Sequence, residues 1–360
     1  MQPGVQRVTY LDYSRGILIC LVTVGHSLQH LVLQDQNFYS DGMFKFIYIF
    51  HMPLFMAICG YVAFPSINRM SFGAFLKRKT KSYLVPILAW ALIWTTFALA
   101  VGSNTLMNVR LSGFLLDLAG ESPRLWFLWA LLGSLLLAWL GNSMGRYRVP
   151  AFLVVFACVL LLPDRSIVPL FKYMFPFFVG GLFLASVDLS RVRRSHVVLL
   201  TVLSGVVSVV CYAYWKDTTY IYVSGMSLAP QHVPVLVFRY VASAVTCVSV
   251  AGLIFLAQPW TPARLKAWIE TAGRDCIYIY ILQVYAFGVL ARLSEHFFQP
   301  IANPALGHVV AIAFGLLMTF GCWLVGSFLS RNATSAQVLF GRSPRLGLSV
   351  APLAADNPRL

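Results

Sequence analysis

Apolar residues run through this chain in long blocks, broken by short polar segments at roughly regular intervals. The blocks lie at 15–33, 44–64, 84–102, 125–141, 149–163, 168–187, 196–215, 235–257, 277–293 and 305–329. Crossing about 30 Å of hydrocarbon takes about 20 apolar residues in a helix, and most of these blocks reach that length. The pattern predicts an all-α, polytopic integral membrane protein of about ten transmembrane helices. The fifth block is short and fits a tilted or partly re-entrant helix. The first has no small-residue cleavage site after it, so it is expected to stay as a helix.

Composition agrees. Hydrophobic residues make up 59% and charged residues 11%, against about 45–50% and 25% in soluble domains. The net charge of +15 raises nucleic acid as a partner, but the cations do not form a stripe. They fall in alternate loops: Arg7 and Arg15; Arg69 to Lys81; Arg146 and Arg148; Arg191 to Arg194; Arg264 to Arg274; and Arg331 onward. The opposite loops carry Arg110, Arg124, Arg165 and Lys216. This asymmetry sets orientation and predicts both termini in the cytoplasm, with the lipid bilayer and not nucleic acid as the surroundings. Residues 1–330 are expected to form one transmembrane domain. Residues 331–360, Pro-, Arg- and Ala-rich, are expected to form a flexible cytoplasmic tail. The seven cysteines lie in or beside apolar blocks without a CxxC pair and read as buried packing residues. No metal site is expected.

Two ionisable residues interrupt the first block. Arg15 and His26 are eleven residues apart, which in a helix is about 16 Å along the axis and nearly a whole number of turns. Both therefore project from one face, the arginine at the cytoplasmic edge and the histidine near mid-membrane. Ionisable groups at that depth are costly and usually functional. Asp12, three residues before Arg15, is placed to pair with it. Taken singly, Arg15 reads as a positive-inside anchor and His26 as a hydrogen bonder between helices.

The second block supplies a partner. In Phe50-His51-Met52-Pro53-Leu54-Phe55, His51 lies at a depth similar to His26, and Pro53 removes a backbone donor beside it. The next loop, from Phe75 to Pro86, carries Lys77, Arg78, Lys79 and Lys81. Contact with anionic lipid explains such charge. Docking of a phosphorylated cytoplasmic cofactor explains its density, with Arg78 and Lys81, helped by Lys77, gripping phosphates.

These motifs resemble those of the membrane-bound acyltransferase-3 family. Arg15 and His26 match its Arg-x10-His signature, and Phe50 to Phe55 with Gly60-Tyr61 is similar to its second-helix motif. Arg78 and Lys81 resemble its Arg-x-x-Arg loop, with lysine in the second place. Trp126-Phe127-Leu128 resembles its Trp-Phe-Leu motif, and Tyr278 to Tyr285 a late-helix motif in which Gln283 stands where a histidine is common. The resemblance implies transfer of an acyl group, usually acetyl, from cytoplasmic acetyl-CoA to a hydroxyl of an extracytoplasmic sugar, exopolysaccharide or lipid-linked oligosaccharide. It also implies a bacterial cytoplasmic (inner) membrane, in the setting of polysaccharide biosynthesis or export. In this reading Arg15, Arg78, Lys81 and Lys77 hold the phosphates of acyl-CoA. His26 is a base or a transient acyl carrier. His51 orients His26, stabilises the oxyanion or holds the acceptor. Burial favours an uncharged imidazole.

Of the outer-loop acids Asp35, Asp41, Asp117, Glu121 and Glu295, Glu121 is the first candidate for a catalytic partner, because it stands just before the Trp-Phe-Leu motif. The outer cations Lys45, Lys172, Arg239 and Arg292 read as snorkelling side chains or as a site for an anionic acceptor. The rival readings are a proton-coupled transporter and a non-catalytic export subunit for a sugar or lipid-linked glycan. The missing internal repeat and the cytoplasmic cation cluster speak against the transporter.

Overall fold

The computed structural model describes residues 9–101, 120, 122–188, 192–297, 301 and 303–342. Among these residues the chain is helical and contains no strand. Thirteen helices frame the site: α1 (Thr9–Ser27), α2 (Gly42–Arg69), α3 (Phe72–Lys79), α4 (Val85–Val101), α5 (Trp126–Ser143), α6 (Arg148–Leu160), α7 (Val168–Leu184), α8 (Arg194–Tyr214), α9 (Val233–Ala257), α10 (Ala263–Arg274), α11 (Cys276–Phe297), α12 (Pro304–Leu329) and α13 (Ala333–Phe340).

Each expected span falls on a helix, but lengths differ. Among the described residues, seven helical stretches are long and apolar enough to cross a membrane, and an eighth forms if α10 and the first part of α11 are one broken span, bent by 74°. At the positions of the fifth and sixth expected spans, α6 and α7 are shorter, at 13 and 17 residues. Apolar side chains turned outward, such as Val209 on α8 at 70% exposed, fit contact with lipid.

Local chemistry starts several helices. Asp41 caps α2 by accepting the Phe44 amide at 2.9 Å, and Asn332 caps α13 by accepting from Thr334 and Ser335, satisfying donors that a helix start leaves open. Between helices, contact is made through glycine. A Cβ on Gly60 would collide with the Phe178 carbonyl, and one on Gly181 with the Ala57 carbonyl, so α2 and α7 pack backbone on backbone. Gly16 and Gly273 do the same for α1 and α10, against the Ile269 and Asp12 carbonyls. Without a hydrophobic drive between helices in lipid, such close approach is a main source of packing energy.

The tail expected from residue 331 does not begin there. Residues 333–340 form α13, whose Phe340 is fully buried beneath Tyr278 and Trp90. Gln337 donates to the Lys81 carbonyl at 2.9 Å, and Trp90 to the Leu339 carbonyl at 2.8 Å. An apolar anchor and two backbone bonds therefore hold a segment whose composition reads as loose. Residues 343–360 lie outside the described residues.

Candidate functional site

The bent junction between α10 and α11 builds the inner part of the site. Asp275 stands at the break. Its carboxylate accepts the Arg342 guanidinium at 2.6 Å and the Trp323 indole at 3.1 Å. Arg342 also donates to the Arg274 carbonyl, which closes the end of α10 with a cation. Across from it, Arg15 pairs with the buried Asp12 on α1. Arg15, Arg274 and Arg342 all line one cavity of about 160 Å³, together with Cys59, Tyr83, Phe127 and Leu128.

A second cavity, of about 280 Å³, adjoins it. His26, His30, His51, Arg124, Trp126, Tyr222 and Gln283 are among its walls. Val22, Met52 and Tyr280 line both cavities. The face of α1 that carries Arg15 and His26 thus runs from one cavity into the other, as the eleven-residue spacing predicts. The Trp-Phe-Leu segment straddles the same junction: Trp126 faces the histidines, Phe127 and Leu128 the arginines. The Phe127 amide donates to the Tyr280 hydroxyl at 3.2 Å.

His51 is buried, and its Nδ1 lies 2.8 Å from the Ile47 carbonyl. A carbonyl only accepts, so Nδ1 carries the proton and Nε2 is the acceptor of the neutral ring. The Nδ1 of His26 is buried without a hydrogen-bond partner. Gln283 is fully buried; its amide nitrogen donates to the Tyr280 carbonyl at 3.3 Å, and its Oε1 has no partner.

The sequence reading passed over His30. It sits in a single π-helical turn, Leu28–Val32, that continues α1, and its ring stacks on His26. Its Nδ1 is 3.0 Å from Asp35, whose other oxygen accepts from Gln29 at 2.8 Å. Gln34, Asp35 and Asn37 all take positive φ, at 48°, 59° and 49°. For residues other than glycine this costs roughly 1 kcal/mol or more each, and the turn it makes brings Asp35 back beneath His30. Burial pushes the Asp35 carboxyl up, but the hydrogen bonds from His30 and Gln29 outweigh it and hold the group below its ordinary value. The available signal was the four-residue spacing of His26 and His30, one helical turn.

Arg274 and Arg342 were also passed over as binding residues, because nothing in the sequence ties them to Arg15. The basic loop lies apart from these three arginines. Lys77, Arg78 and Lys81 are exposed and are not among the residues lining the Arg15 cavity. Lys77 and Arg78 end α3, and Lys81 lies in the π-helical turn Thr80–Leu84. Glu121 lies outside the described residues.

Three of the outer cations, Lys45, Lys172 and Arg239, already have partners within the fold. Lys172 is buried and bonded to Asp164 at 2.7 Å. Arg239 is buried and donates to the Thr219 and Gly225 carbonyls and to Ser224. Lys45 sits over the Tyr212 ring. The side chain of Arg292 lies outside the described residues.

Comparison with known proteins fits this arrangement. Residues 8–327 match the acyltransferase domain family. A nodulation protein NolL from Sinorhizobium fredii is 33% identical over 295 residues, covering 79% of this chain and 78% of the relative. Another NolL, from Mesorhizobium japonicum, is 28% identical over 352 residues, covering 94% and 91%. No solved structure gives a significant match. A match across almost the whole helical domain, on a chain whose Arg-x10-His face lines two adjoining cavities, makes this protein a member of the acyltransferase-3 family.

Proposed function

We propose that the protein is an O-acyltransferase of a bacterial inner membrane. It moves an acetyl or other short acyl group from cytoplasmic acyl-CoA to a hydroxyl of an extracytoplasmic sugar, exopolysaccharide or lipid-linked oligosaccharide. Its ten helical segments carry both termini on the cytoplasmic side, and it works beside the machinery of polysaccharide biosynthesis or export. The observation that carries this reading is the pair of adjoining cavities, one walled by three arginines and the other by three histidines.

The inner cavity, at about 160 Å³, is smaller than the roughly 300 Å³ of pockets that enclose a whole drug-sized ligand. It suits a slender chain. The pantetheine arm of the donor enters there, with Arg15, Arg274 and Arg342 as anion partners. The nucleotide end stays at the surface, where Lys77, Arg78 and Lys81 lie exposed. The thioester then stands near Val22, Met52 and Tyr280, the shared walls.

On the other side, a sugar hydroxyl approaches His26. Its oxygen attacks the thioester carbonyl as the imidazole takes its proton. The tetrahedral intermediate collapses with loss of the C–S bond, and the proton passes to the departing thiolate. His51 holds the acceptor: its bond to Ile47 makes Nε2 an acceptor, suited to a hydroxyl and not to an oxyanion. Trp126 and Tyr222 supply aromatic faces for the sugar ring.

The test gives sealed membranes labelled acetyl-CoA on the cytoplasmic side and follows label into glycan. Wild-type protein transfers label, and His26→Ala loses at least about a hundredfold in rate while remaining inserted and folded. Full activity in His26→Ala overturns the role of His26. Glycan movement without label incorporation favours the transporter, and export unchanged by loss of both histidines favours the non-catalytic subunit.

A further inference from the structure

A base that gains a proton inside a membrane protein needs negative charge nearby, and the cavity around His26 has little to offer. Among the described residues, no acidic side chain lines it. His51 and Tyr48 face it from α2, Tyr280 from α11, Tyr222 from the segment before α9, and Arg124 from the turn before α5. The tyrosines and imidazole are neutral when unreacted, and the guanidinium opposes a second positive charge.

Among the described residues, a connection to a carboxylate runs through His30. The His26 and His30 rings are parallel to within 5°, with centroids 5.6 Å apart. Phe287, buried at their side, touches both, at 5.8 and 6.0 Å between centroids. His30 in turn donates Nδ1–H to Asp35, and Asp35 is fixed by the Gln29 side chain and by its own amide on the Gln29 carbonyl at 2.9 Å. The carboxylate, the bonded ring and the stacked ring form a row that begins at the outer surface and ends at the reaction centre.

We propose that Asp35 and His30 form a charge-compensating dyad for His26. Through the ring it holds, the Asp35 carboxylate stabilises the positive charge that His26 carries between taking the hydroxyl proton and releasing it to the thiolate. His30 and Asp35 are positioning residues: they act through His26 and not on the substrate. The π-helical turn and the left-handed residues at 34, 35 and 37 serve this placement. The proposal rests on the acyltransferase reading and assigns that reaction a residue pair on the outer side of the membrane.

The test uses the full chain in membrane vesicles supplied with labelled acetyl-CoA, and records initial transfer rates against pH. Asp35→Asn keeps shape and removes charge. Its rate falls about tenfold or more, and the acid limb of its pH profile moves to lower pH, because a less stabilised imidazolium forms less readily. Asp35→Glu restores most of the rate. His30→Phe, which keeps a stacked ring and loses the bond, behaves like Asp35→Asn. Acetyl-CoA binding stays at the wild-type value in all three, and all three remain folded at the assay temperature. An Asp35→Asn protein with wild-type rate and profile overturns the proposal, as does a rate loss that follows thermal stability with the acid limb unmoved. If wild-type vesicles transfer no label, the acyltransferase reading itself fails. The dyad is then judged on histidine ¹⁵N spectra of the purified protein, where His26 ring resonances that are unchanged in Asp35→Asn overturn it.

Discussion

The Nδ1 of His51 donates to the carbonyl oxygen of Ile47, one helical turn earlier, across 2.8 Å. That single bond decides which nitrogen of a buried imidazole is the donor and which the acceptor. It separates two substitutions that look alike. His51→Asn places an amide donor where Nδ1 was and keeps the Ile47 bond, but has nothing at the Nε2 position. Transfer activity is expected to fall about a hundredfold with the thermal midpoint preserved. His51→Gln reaches further and retains a polar atom at the cavity, so it is expected to keep more activity than His51→Asn. Labelled acetyl transfer and scanning fluorimetry on the two proteins check this order.

Neighbouring glycines on α7 are expected to respond in opposite directions. A Cβ on Gly181 meets the Ala57 carbonyl, whereas one on Gly180 meets nothing within 4 Å. Gly181→Ala forces α2 and α7 apart and is expected to cost about 1–3 kcal/mol. Gly180→Ala is expected to stabilise by roughly 0.5–1 kcal/mol through helix propensity. Gly273→Ala follows Gly181→Ala, with an added consequence: the blocked atom is the Asp12 carbonyl, so Arg15 shifts as well. Thermal unfolding in detergent reads the first two, and donor affinity reads the third.

Arg342 ties the segment after α13 to the break between α10 and α11. Arg342→Gln removes a charged hydrogen bond to Asp275 and the cap on the Arg274 carbonyl. It is expected to destabilise by about 1.5–3 kcal/mol and to weaken acetyl-CoA binding about tenfold, with a smaller effect on the transfer rate at saturating donor. Loss of stability with donor affinity unchanged assigns Arg342 to the fold alone.

Acidification gives a prediction of defined sign. The folded-state value of Asp35 is depressed below the ordinary 3.8. Its contribution to stability is therefore complete above that ordinary value and is lost as pH falls through the depressed one. The difference in thermal midpoint between wild type and Asp35→Asn is expected to be constant from neutral pH down to about pH 5 and to shrink below about pH 4. A difference that instead grows on acidification contradicts the His30 and Gln29 bonds as its source.

Sequence periodicity was sufficient for the helical class, because a chain in lipid must satisfy every backbone group within its own segment. Apolar block length then marks each helix. It was also sufficient for the shared face of Arg15 and His26, because eleven residues close three helical turns whatever surrounds them. Block length did not reveal where a helix bends. The 74° break at Asp275 depends on Arg342 and Trp323, from segments 67 and 48 residues away.

The two cavities mark the same division. The sequence alone determined the chemistry of single helices: a cation and an imidazole on one face, a second histidine in the next apolar block, and a loop dense in cations. Tertiary structure decided which of these meet. It brought Arg274 and Arg342 to Arg15, left Lys77, Arg78 and Lys81 at the surface, and set His30 against His26 through a π-helical turn and a strained loop. Local spacing fixes angles within one helix, whereas contact between helices depends on glycine gaps and paired charges contributed by residues far apart in the chain.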